Sequence, residues 1–173
     1  MTKANTLKQK TARQAEISRF LEKIVINAGV GRLSQQPNFE QKILPQILGD
    51  ISAIVGQKPE LRKAKKSIAG FKVRENQVIG VKVTLRRHKM VDFFERMITI
   101  VLPRLRDFRG LDQAFIDDVG TFNVGFTEQM VFPEINPEES PVTFSLGVNI
   151  VPRKRSRKAA VEEYTKLGIP FKK

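Results

Sequence analysis

Residues 79–86 read Ile79-Gly-Val-Lys-Val-Thr-Leu-Arg86, and apolar and polar side chains alternate along this stretch. Alternation with a period of two residues is typical of a β-strand that has one face against a core. The strand predicted here has an apolar side and a basic, hydrogen-bonding side. The apolar side carries Val81, Val83 and Leu85, and the other side carries Lys82, Thr84 and Arg86.

Three further segments show the same alternation and are predicted to be strands. In Leu21 to Ala28, one face carries Ile24, Ile26 and Ala28. The other face carries Lys23, Val25 and Asn27. The segments Thr121 to Phe126 and Val142 to Val151 follow late in the chain, and their polar faces are small. The residues on these faces are Thr121, Asn123 and Gly125 in the first segment, and Thr143, Ser145, Gly147 and Asn149 in the second.

Apolar residues at helical spacing predict three helices. The first runs from Phe39 to Val55, and we expect Pro45 and Gly49 to kink or break it. The second runs from Met90 to Val101 and ends around Pro103, and a short third helix covers about Ala159 to Leu167. Because strands and helices do not alternate strictly, we expect an α+β fold. It has a mixed or antiparallel sheet with helices packed on one face, and the opposite face and the loops are available to RNA.

The chain length of 173 residues fits one compact domain. We expect residues 1–20 to form a basic N-terminal tail and residues 21–173 to form a single domain. The tail is poor in large apolar side chains, which favours a segment that orders only on RNA. An organelle transit sequence is the alternative.

The chain carries 31 lysine and arginine residues against 18 acidic residues, which gives a formal net charge of +13. This charge favours a polyanionic partner. Nucleic acid is preferred to a membrane surface, because no apolar run approaches the roughly 20 residues that span a bilayer. The absence of cysteine excludes disulfides and thiolate metal sites, and an intracellular compartment is expected.

Residues suited to catalysis are scarce. The only histidine, His88, lies in the basic string Arg86-Arg87-His88-Lys89 and is expected to be an exposed polar residue. The adjacent pairs Asp117 with Asp118 and Glu138 with Glu139 would point to opposite sides of an extended chain, which makes poor metal sites. The glycine pair Gly29-Val30-Gly31 lacks the rest of a phosphate-binding motif. We therefore expect no catalytic residue, no metal and no cofactor.

Cations concentrate in two segments besides the strand at 79–86. The first is Lys58 to Arg74, in which Ser67 to Phe71 is predicted to be a loop. Aromatic side chains are scarce on the polar strand faces, which favours recognition of a structured RNA through its backbone and shape. The alternative is that these polar faces meet only solvent. The second segment carries Arg153, Lys154, Arg155, Arg157 and Lys158.

Seven strings, in the same order along the chain, resemble the family of bacterial-type large-subunit ribosomal protein five. The resemblance covers roughly Leu21 to Lys173. The strings are Glu22-Lys-Ile-Val-Ile-Asn-Ala-Gly-Val-Gly31, Gly56-Gln-Lys-Pro59, Lys63-Ala-Lys-Lys-Ser-Ile-Ala-Gly-Phe-Lys72, Ile79-Gly-Val-Lys-Val-Thr-Leu-Arg86, Arg104-Leu-Arg-Asp-Phe-Arg-Gly110, Glu128-Gln-Met-Val-Phe-Pro-Glu134 and Gly168-Ile-Pro-Phe171.

The resemblance implies a structural protein of the ribosome. It implies an antiparallel sheet backed by helices, and a seat on 5S ribosomal RNA in the central protuberance of the large subunit. It also implies contact with large-subunit ribosomal RNA, with other central-protuberance proteins, and with small-subunit ribosomal protein thirteen. The implied location is the cytoplasmic ribosome, and an organellar ribosome stays open.

The resemblance also assigns residues. The RNA-contacting asparagine, glutamine and threonine of the family fall on Asn27, Gln57 and Thr84, and the strand alternation adds Lys82 and Arg86. The loop that reaches transfer RNA in the P site corresponds to about Arg62 to Gln77. Its candidate residues are Arg62, Lys63, Lys65, Lys66, Ser67, Phe71, Lys72 and Arg74.

The chain departs from the family pattern at four places. A short basic stretch stands where the family has a longer N-terminal helix. The loop Phe115-Ile-Asp-Asp-Val-Gly-Thr-Phe122 lacks an arginine, and Thr127 replaces another. The basic cluster from Arg153 to Lys158 replaces an acidic helix start, and we expect it to add RNA contacts.

Two other classes of function stay open. An RNA-modifying or RNA-cleaving enzyme would need a cluster of acid/base or metal-binding residues. A free-standing RNA chaperone or translational regulator would share the RNA-binding chemistry but would not sediment with large subunits.

Overall fold

The chain forms a five-stranded antiparallel sheet together with helices, in a computed structural model that describes residues 3–105 and 108–172. The predicted α+β fold class is confirmed. The order of strands across the sheet is β2-β3-β1-β5-β4. The strands are β1 Leu21–Gly29, β2 Glu60–Lys63, β3 Val78–Leu85, β4 Phe122–Phe126 and β5 Leu146–Pro152. The helices are α1 Lys3–Phe20, α2 Leu44–Val55, α3 Arg87–Arg96, α4 Leu102–Arg104 and α5 Arg157–Lys166.

Three predicted features extend beyond the described residues. The N-terminal segment includes Met1 and Thr2, the string at 104–110 includes Arg106 and Asp107, and the C-terminus includes Lys173. These five residues lie outside the part of the chain that the structure describes.

The backbone groups into two compact units that are interleaved along the sequence. The first unit comprises Met1–Ile24, Leu85–Val124 and Asn149–Lys173, and the second comprises Val25–Thr84 and Gly125–Val148. The expected boundaries, a tail at 1–20 and one domain at 21–173, stay predictions.

The alternation that predicted the strands corresponds to burial in the structure. Ile26, Val81 and Val83 are at most 2% exposed, whereas Asn27 is exposed and Thr84 is half-buried. Burying one such aliphatic side chain contributes about 1.5–3 kcal/mol to folding. The core therefore determines which face of β1 and β3 is left for polar groups.

The helix around Pro45 is irregular where the sequence predicted a break. A π-helical turn at Phe39–Ile43 precedes α2, and Pro45 lies in the first turn of α2. Proline fits there because a first-turn N–H has no partner inside the helix. Gly49 does not interrupt α2, so the helix does not break at that position, and the alternative of a kink there stays a prediction. The helix that begins with α3 continues through a π-helical turn at Met97–Val101 to α4, which ends beside Pro103 as predicted.

The last strand begins later than predicted. β5 starts at Leu146, and residues 142–145 are not in a strand, because the buried side chain of Gln129 occupies their backbone groups. Gln129 Nε2 donates to the carbonyl oxygen of Val142 at 2.8 Å, and Gln129 Oε1 accepts from the backbone N–H of Phe144 at 3.0 Å. A side chain thus takes the place of a neighbouring strand.

The N-terminal segment forms a helix before the first strand, so the prediction that no such helix precedes it is wrong. Residues 3–20 contain neither glycine nor proline and are rich in residues of high helix propensity. Within its unit, Ile17 is fully buried, and Arg13 Nη2 donates to the carbonyl oxygen of Leu167 at 2.9 Å. These contacts attach α1 to the rest of its unit. No helix among the described residues is both long enough and apolar enough to cross a membrane.

Candidate RNA interface

Neutral polar side chains lie on two neighbouring strands of the second unit. Asn27 is exposed on β1, and Thr84 is half-buried on β3, the strand next to β1 in the sheet. Lys82, also half-buried, precedes Thr84 by two residues and therefore shares its face. An amide, a hydroxyl and an ammonium group thus project from the face opposite the core.

Gly147 provides the space that the Asn27 side chain occupies. It lies on β5, the other neighbour of β1, and a Cβ atom at this glycine would be only 2.7 Å from Asn27 Oδ1 and 3.1 Å from Asn27 Nδ2. Any larger residue at position 147 would displace the amide. The sequence analysis included Gly147 among the small residues of its strand but did not connect it with Asn27.

Gln57 is held beside the end of β3. The preceding residue, Gly56, has a φ of +64° and ends α2, and this conformation turns the chain toward the sheet. Gln57 Nε2 donates a long hydrogen bond of 3.4 Å to the carbonyl oxygen of Thr84. The structure therefore brings together two of the three residues that the family resemblance assigned to RNA.

Two residues that were assigned to the loop lie instead on the edge of the sheet. Arg62 and Lys63 belong to β2, which pairs antiparallel with β3, and Arg62 is opposite Gly80. Glu60, which is opposite Lys82, forms an ion pair with Arg62 at 3.0 Å. Because opposite residues of an antiparallel pair point to the same side, Arg62 joins Lys82 on the polar face. All four residues of β2 are exposed, so β2 has no burial alternation that the sequence could have revealed.

The loop from Ala64 to Gln77 is closed by backbone hydrogen bonds. Ala64 donates to the carbonyl oxygen of Gln77 at 2.8 Å, and Ile68 donates to that of Val73 at 2.9 Å. A 3₁₀ turn at Ala69–Phe71 forms the tip. The exposed cations on this loop are Lys65, Lys66, Lys72 and Arg74.

Side chains also fix the loop. Ser67 Oγ accepts from the backbone N–H of Glu75 at 2.9 Å, and Gln77 Oε1 accepts from that of Arg74 at 2.8 Å. Phe71 is 71% exposed. Of the loop candidates, Ser67 therefore supports the backbone, whereas the phenyl ring of Phe71 faces solvent.

The remaining candidates lie in the first unit. Arg86 is exposed immediately after β3, and its Nη1 is 3.6 Å from Glu22 Oε1. Arg157 and Lys158 begin α5, and Arg157 Nη1 is 4.0 Å from Asp118 Oδ1. The backbone N–H of Arg153 donates to the carbonyl oxygen of Phe20 at 2.9 Å. The whole cluster is exposed, namely Arg153, Lys154, Arg155, Arg157 and Lys158.

Tyr164 has a perturbed pKa, and this residue lies in the core of its unit. Burial raises the pKa of the Tyr164 phenol well above its ordinary value, and the nearby Asp117 carboxylate acts in the same direction. Its hydroxyl lies 3.1 Å from the carbonyl oxygen of Ile150 and 3.2 Å from that of Gly120. Tyr164 is therefore a neutral hydrogen-bond donor in the core of its unit, and His88 is exposed as predicted.

Two family descriptions match this chain. The family described as "Ribosomal protein L5" matches residues 20–74, and the description of the C-terminus of the same ribosomal family matches residues 78–171. The chain belongs to the ribosomal protein L5 family. All candidate residues fall inside the two matched ranges, and the predicted resemblance is confirmed. Members of this family are structural proteins of the ribosome, so the predicted ribosomal location is confirmed too.

Curated relatives of this family resemble most of the chain. A large ribosomal subunit protein uL5 from Chlorobaculum tepidum is 44% identical over 153 residues, which cover 88% of this chain and 81% of the relative. Another protein of that name, from Campylobacter lari, is 44% identical over 154 residues, covering 89% and 83%. A third, from Chlorobium phaeovibrioides, is 44% identical over 153 residues, covering 88% and 75%.

Proposed function

We propose that this protein is a structural constituent of the large ribosomal subunit that binds 5S ribosomal RNA in the central protuberance. Binding uses Asn27, Gln57, Lys82, Thr84 and Arg86. The observation that carries the proposal is the Asn27 amide, which is exposed on β1 in the space left by Gly147 and next to the strand of Thr84. The relatives are large-subunit proteins, which supports the assignment to the large subunit.

The chemistry of the face suits a folded RNA. Amide and hydroxyl groups hydrogen-bond to 2′-hydroxyls and base edges, and Lys82, Arg62 and Arg86 attract phosphates. β1 and β3, which the structure describes in full, contain no aromatic residue, so these strands offer bases no aromatic ring for stacking. This face would therefore read the shape and backbone of paired RNA.

The basic cluster after β5, from Arg153 to Lys158, binds large-subunit ribosomal RNA in this proposal. Arg157 and Lys158 occupy the first turn of α5, where the helix dipole disfavours cations by about 0.3–1 kcal/mol. An anionic partner would remove this penalty, because it would be attracted both by the cations and by the helix N-terminus. The exposed positions of the cluster leave it accessible to such a partner.

The binding of 5S ribosomal RNA is tested by a salt titration of the purified full-length protein. Each phosphate that is neutralised contributes a slope of about −0.7 to −0.9 to the logarithm of affinity against the logarithm of salt concentration. We expect strong binding that weakens steeply with salt. Affinity that is equal at low and physiological salt would contradict an interface made with phosphates.

Gly147→Ala tests the polar face without removing any of its functional groups. The added methyl would lie 2.7 Å from Asn27 Oδ1, so the amide must shift and affinity for 5S ribosomal RNA should fall about five- to tenfold. Gly49→Ala is the matched control, because the same methyl at the exposed position of Gly49 in α2 meets nothing within 4 Å. Equal affinity of the two variants for 5S ribosomal RNA would show that Asn27 is not part of the interface.

We also propose that the loop from Ala64 to Gln77 contacts transfer RNA in the P site, and that the protein contacts small-subunit ribosomal protein thirteen. Replacing Lys65–Lys72 with a short glycine linker should leave 5S binding nearly intact and weaken filter binding of initiator transfer RNA to reconstituted subunits. The alternative is that the loop binds more ribosomal RNA. Loss of 5S affinity with unchanged transfer RNA binding would favour that alternative.

A further inference from the structure

The loop between β2 and β3 presents an apolar surface as well as cations. Phe71 is 71% exposed and Ile68 is 50% exposed. Both line an open groove of about 500 Å³, together with the apolar side chains of Val73 and Ile79. A continuous apolar lining at an exposed loop differs from the single exposed apolar residues that are common on protein surfaces.

The backbone holds the phenyl ring of Phe71 at this groove. Gln35 Nε2 donates to the carbonyl oxygen of Phe71 at 2.9 Å, which connects the loop tip to the segment after β1. On either side of the turn, Ile68 and Val73 form a two-residue antiparallel bridge. Lys72 has a φ of +52°, a conformation that non-glycine residues seldom adopt, and it follows the ring directly. The conformation of this turn therefore places the Phe71 ring at the groove.

Cations surround the groove. Lys65 and Lys66 line it, and Lys72 lies at the turn beside Phe71. Glu75 is the one carboxylate between residues 64 and 77, all of which the structure describes. An apolar protein segment would gain nothing from this excess of positive charge. A nucleobase has an apolar face and is attached to a phosphate, so it matches both features.

We infer that Phe71 and the groove form a stacking platform for one unpaired nucleobase of a structured RNA, with Lys65, Lys66 and Lys72 holding the adjoining phosphates. This inference rests on the proposed function where that RNA is taken to be P-site transfer RNA. It adds a base contact to a loop whose RNA binding would otherwise depend on charge alone. Such a contact requires an unstacked nucleotide.

The test uses large subunits reconstituted with the full-length protein and measures filter binding of deacylated initiator transfer RNA over a series of salt concentrations. Phe71→Ala should weaken binding about tenfold, which corresponds to about 1.4 kcal/mol, and should leave the salt slope unchanged. Phe71→Tyr keeps a flat ring and should stay within about twofold of wild type. Phe71→Leu keeps apolar volume without the ring and should resemble Phe71→Ala.

A change of charge should have the opposite signature. Lys66→Ala should reduce the magnitude of the salt slope by about 0.7–0.9, because one phosphate contact is lost. The 5S affinity of every variant serves as the control for folding and assembly, and it should equal that of wild type.

Two results would overturn the platform. If Phe71→Leu binds as well as Phe71→Tyr, the contact is apolar but not stacking, and a protein partner is favoured. If Phe71→Ala binds as wild type while the glycine-linker variant is impaired, the transfer RNA role stands and the base contact fails. A third result would keep the platform but reject the transfer RNA role. In that case the glycine linker leaves transfer RNA binding unchanged. Crosslinks to ribosomal RNA are then lost in Phe71→Ala and Phe71→Leu but kept in Phe71→Tyr.

Discussion

The polar face of β1 and β3 and the loop from Ala64 to Gln77 both carry candidates for RNA binding, but they are held in different ways. On the strands, Asn27 and Thr84 alternate with residues at most 2% exposed, so the core sets the positions of the polar groups. In the loop, where all fourteen positions from 64 to 77 are described, Ala64 alone is buried. Hydrogen bonds within the loop, together with bonds to Ser34 and Gln35, shape the loop instead.

This difference indicates a difference in role. A face fixed by a core presents its hydrogen-bonding groups at constant spacing, which shape recognition of a folded RNA requires. A loop held by hydrogen bonds and with almost no buried side chain costs little stability to change, and functional residues are common on such loops. Substitutions should therefore separate folding, 5S binding and loop function, and the following predictions test that separation from the largest effect to the smallest.

The largest effect is expected for Val83→Asp. This residue is 2% exposed and faces away from Thr84, so the substitution buries a charge without a partner. We expect a loss of more than about 3 kcal/mol, with no cooperative unfolding transition in circular dichroism. Thr84→Ala, one residue further along the same strand, should unfold cooperatively near the wild-type midpoint. Similar behaviour of the two variants would show that the two sides of β3 do not differ as described.

A smaller loss is expected for Gln129→Ala. The Gln129 amide hydrogen-bonds to Ser140 Oγ at 3.1 Å as well as to the backbone at Val142 and Phe144, and all of these groups would lose a partner. The loss should be about 2–4 kcal/mol in urea unfolding, because a buried unsatisfied polar group costs about 1–3 kcal/mol. Gln113→Ala, at an exposed position, is the control and should cost less than about 0.5 kcal/mol.

The smallest effect is expected in the loop, for Ser67→Ala. The substitution removes the acceptor of the Glu75 backbone N–H, a group that solvent can hydrate instead. Stability should fall by less than about 1 kcal/mol, and affinity for 5S ribosomal RNA should not change. A loss as large as that of Gln129→Ala would mean that the loop is part of the folding core, and the contrast between the two regions would fail.

The sequence predicted the features that depend on local patterns. Alternation placed Asn27 and Thr84 opposite the core, because side chains along a strand point to opposite faces with a period of two residues. Helical spacing found α2 and α3, and Pro45 marked the place where regular helix geometry begins.

The sequence could not predict features that depend on three-dimensional neighbours. The role of Gly147 follows only from the position of β5 beside β1. The late start of β5 follows from the buried side chain of Gln129, which hydrogen-bonds to the backbone before this strand. β2 escaped detection because it has no buried face. α1 was misjudged because its apolar positions are few, although Ile17 is completely buried.

The most direct test of the account measures the affinity of the full-length protein for 5S ribosomal RNA after Asn27→Ala, Gln57→Ala and Thr84→Ala. Each substitution removes a side-chain polar group and leaves its RNA partner without a hydrogen bond at a desolvated interface. We predict that each variant keeps the wild-type fold and binds about 1–3 kcal/mol more weakly, which is roughly five- to 150-fold. Wild-type affinity in all three variants would contradict the claim that this face binds 5S ribosomal RNA.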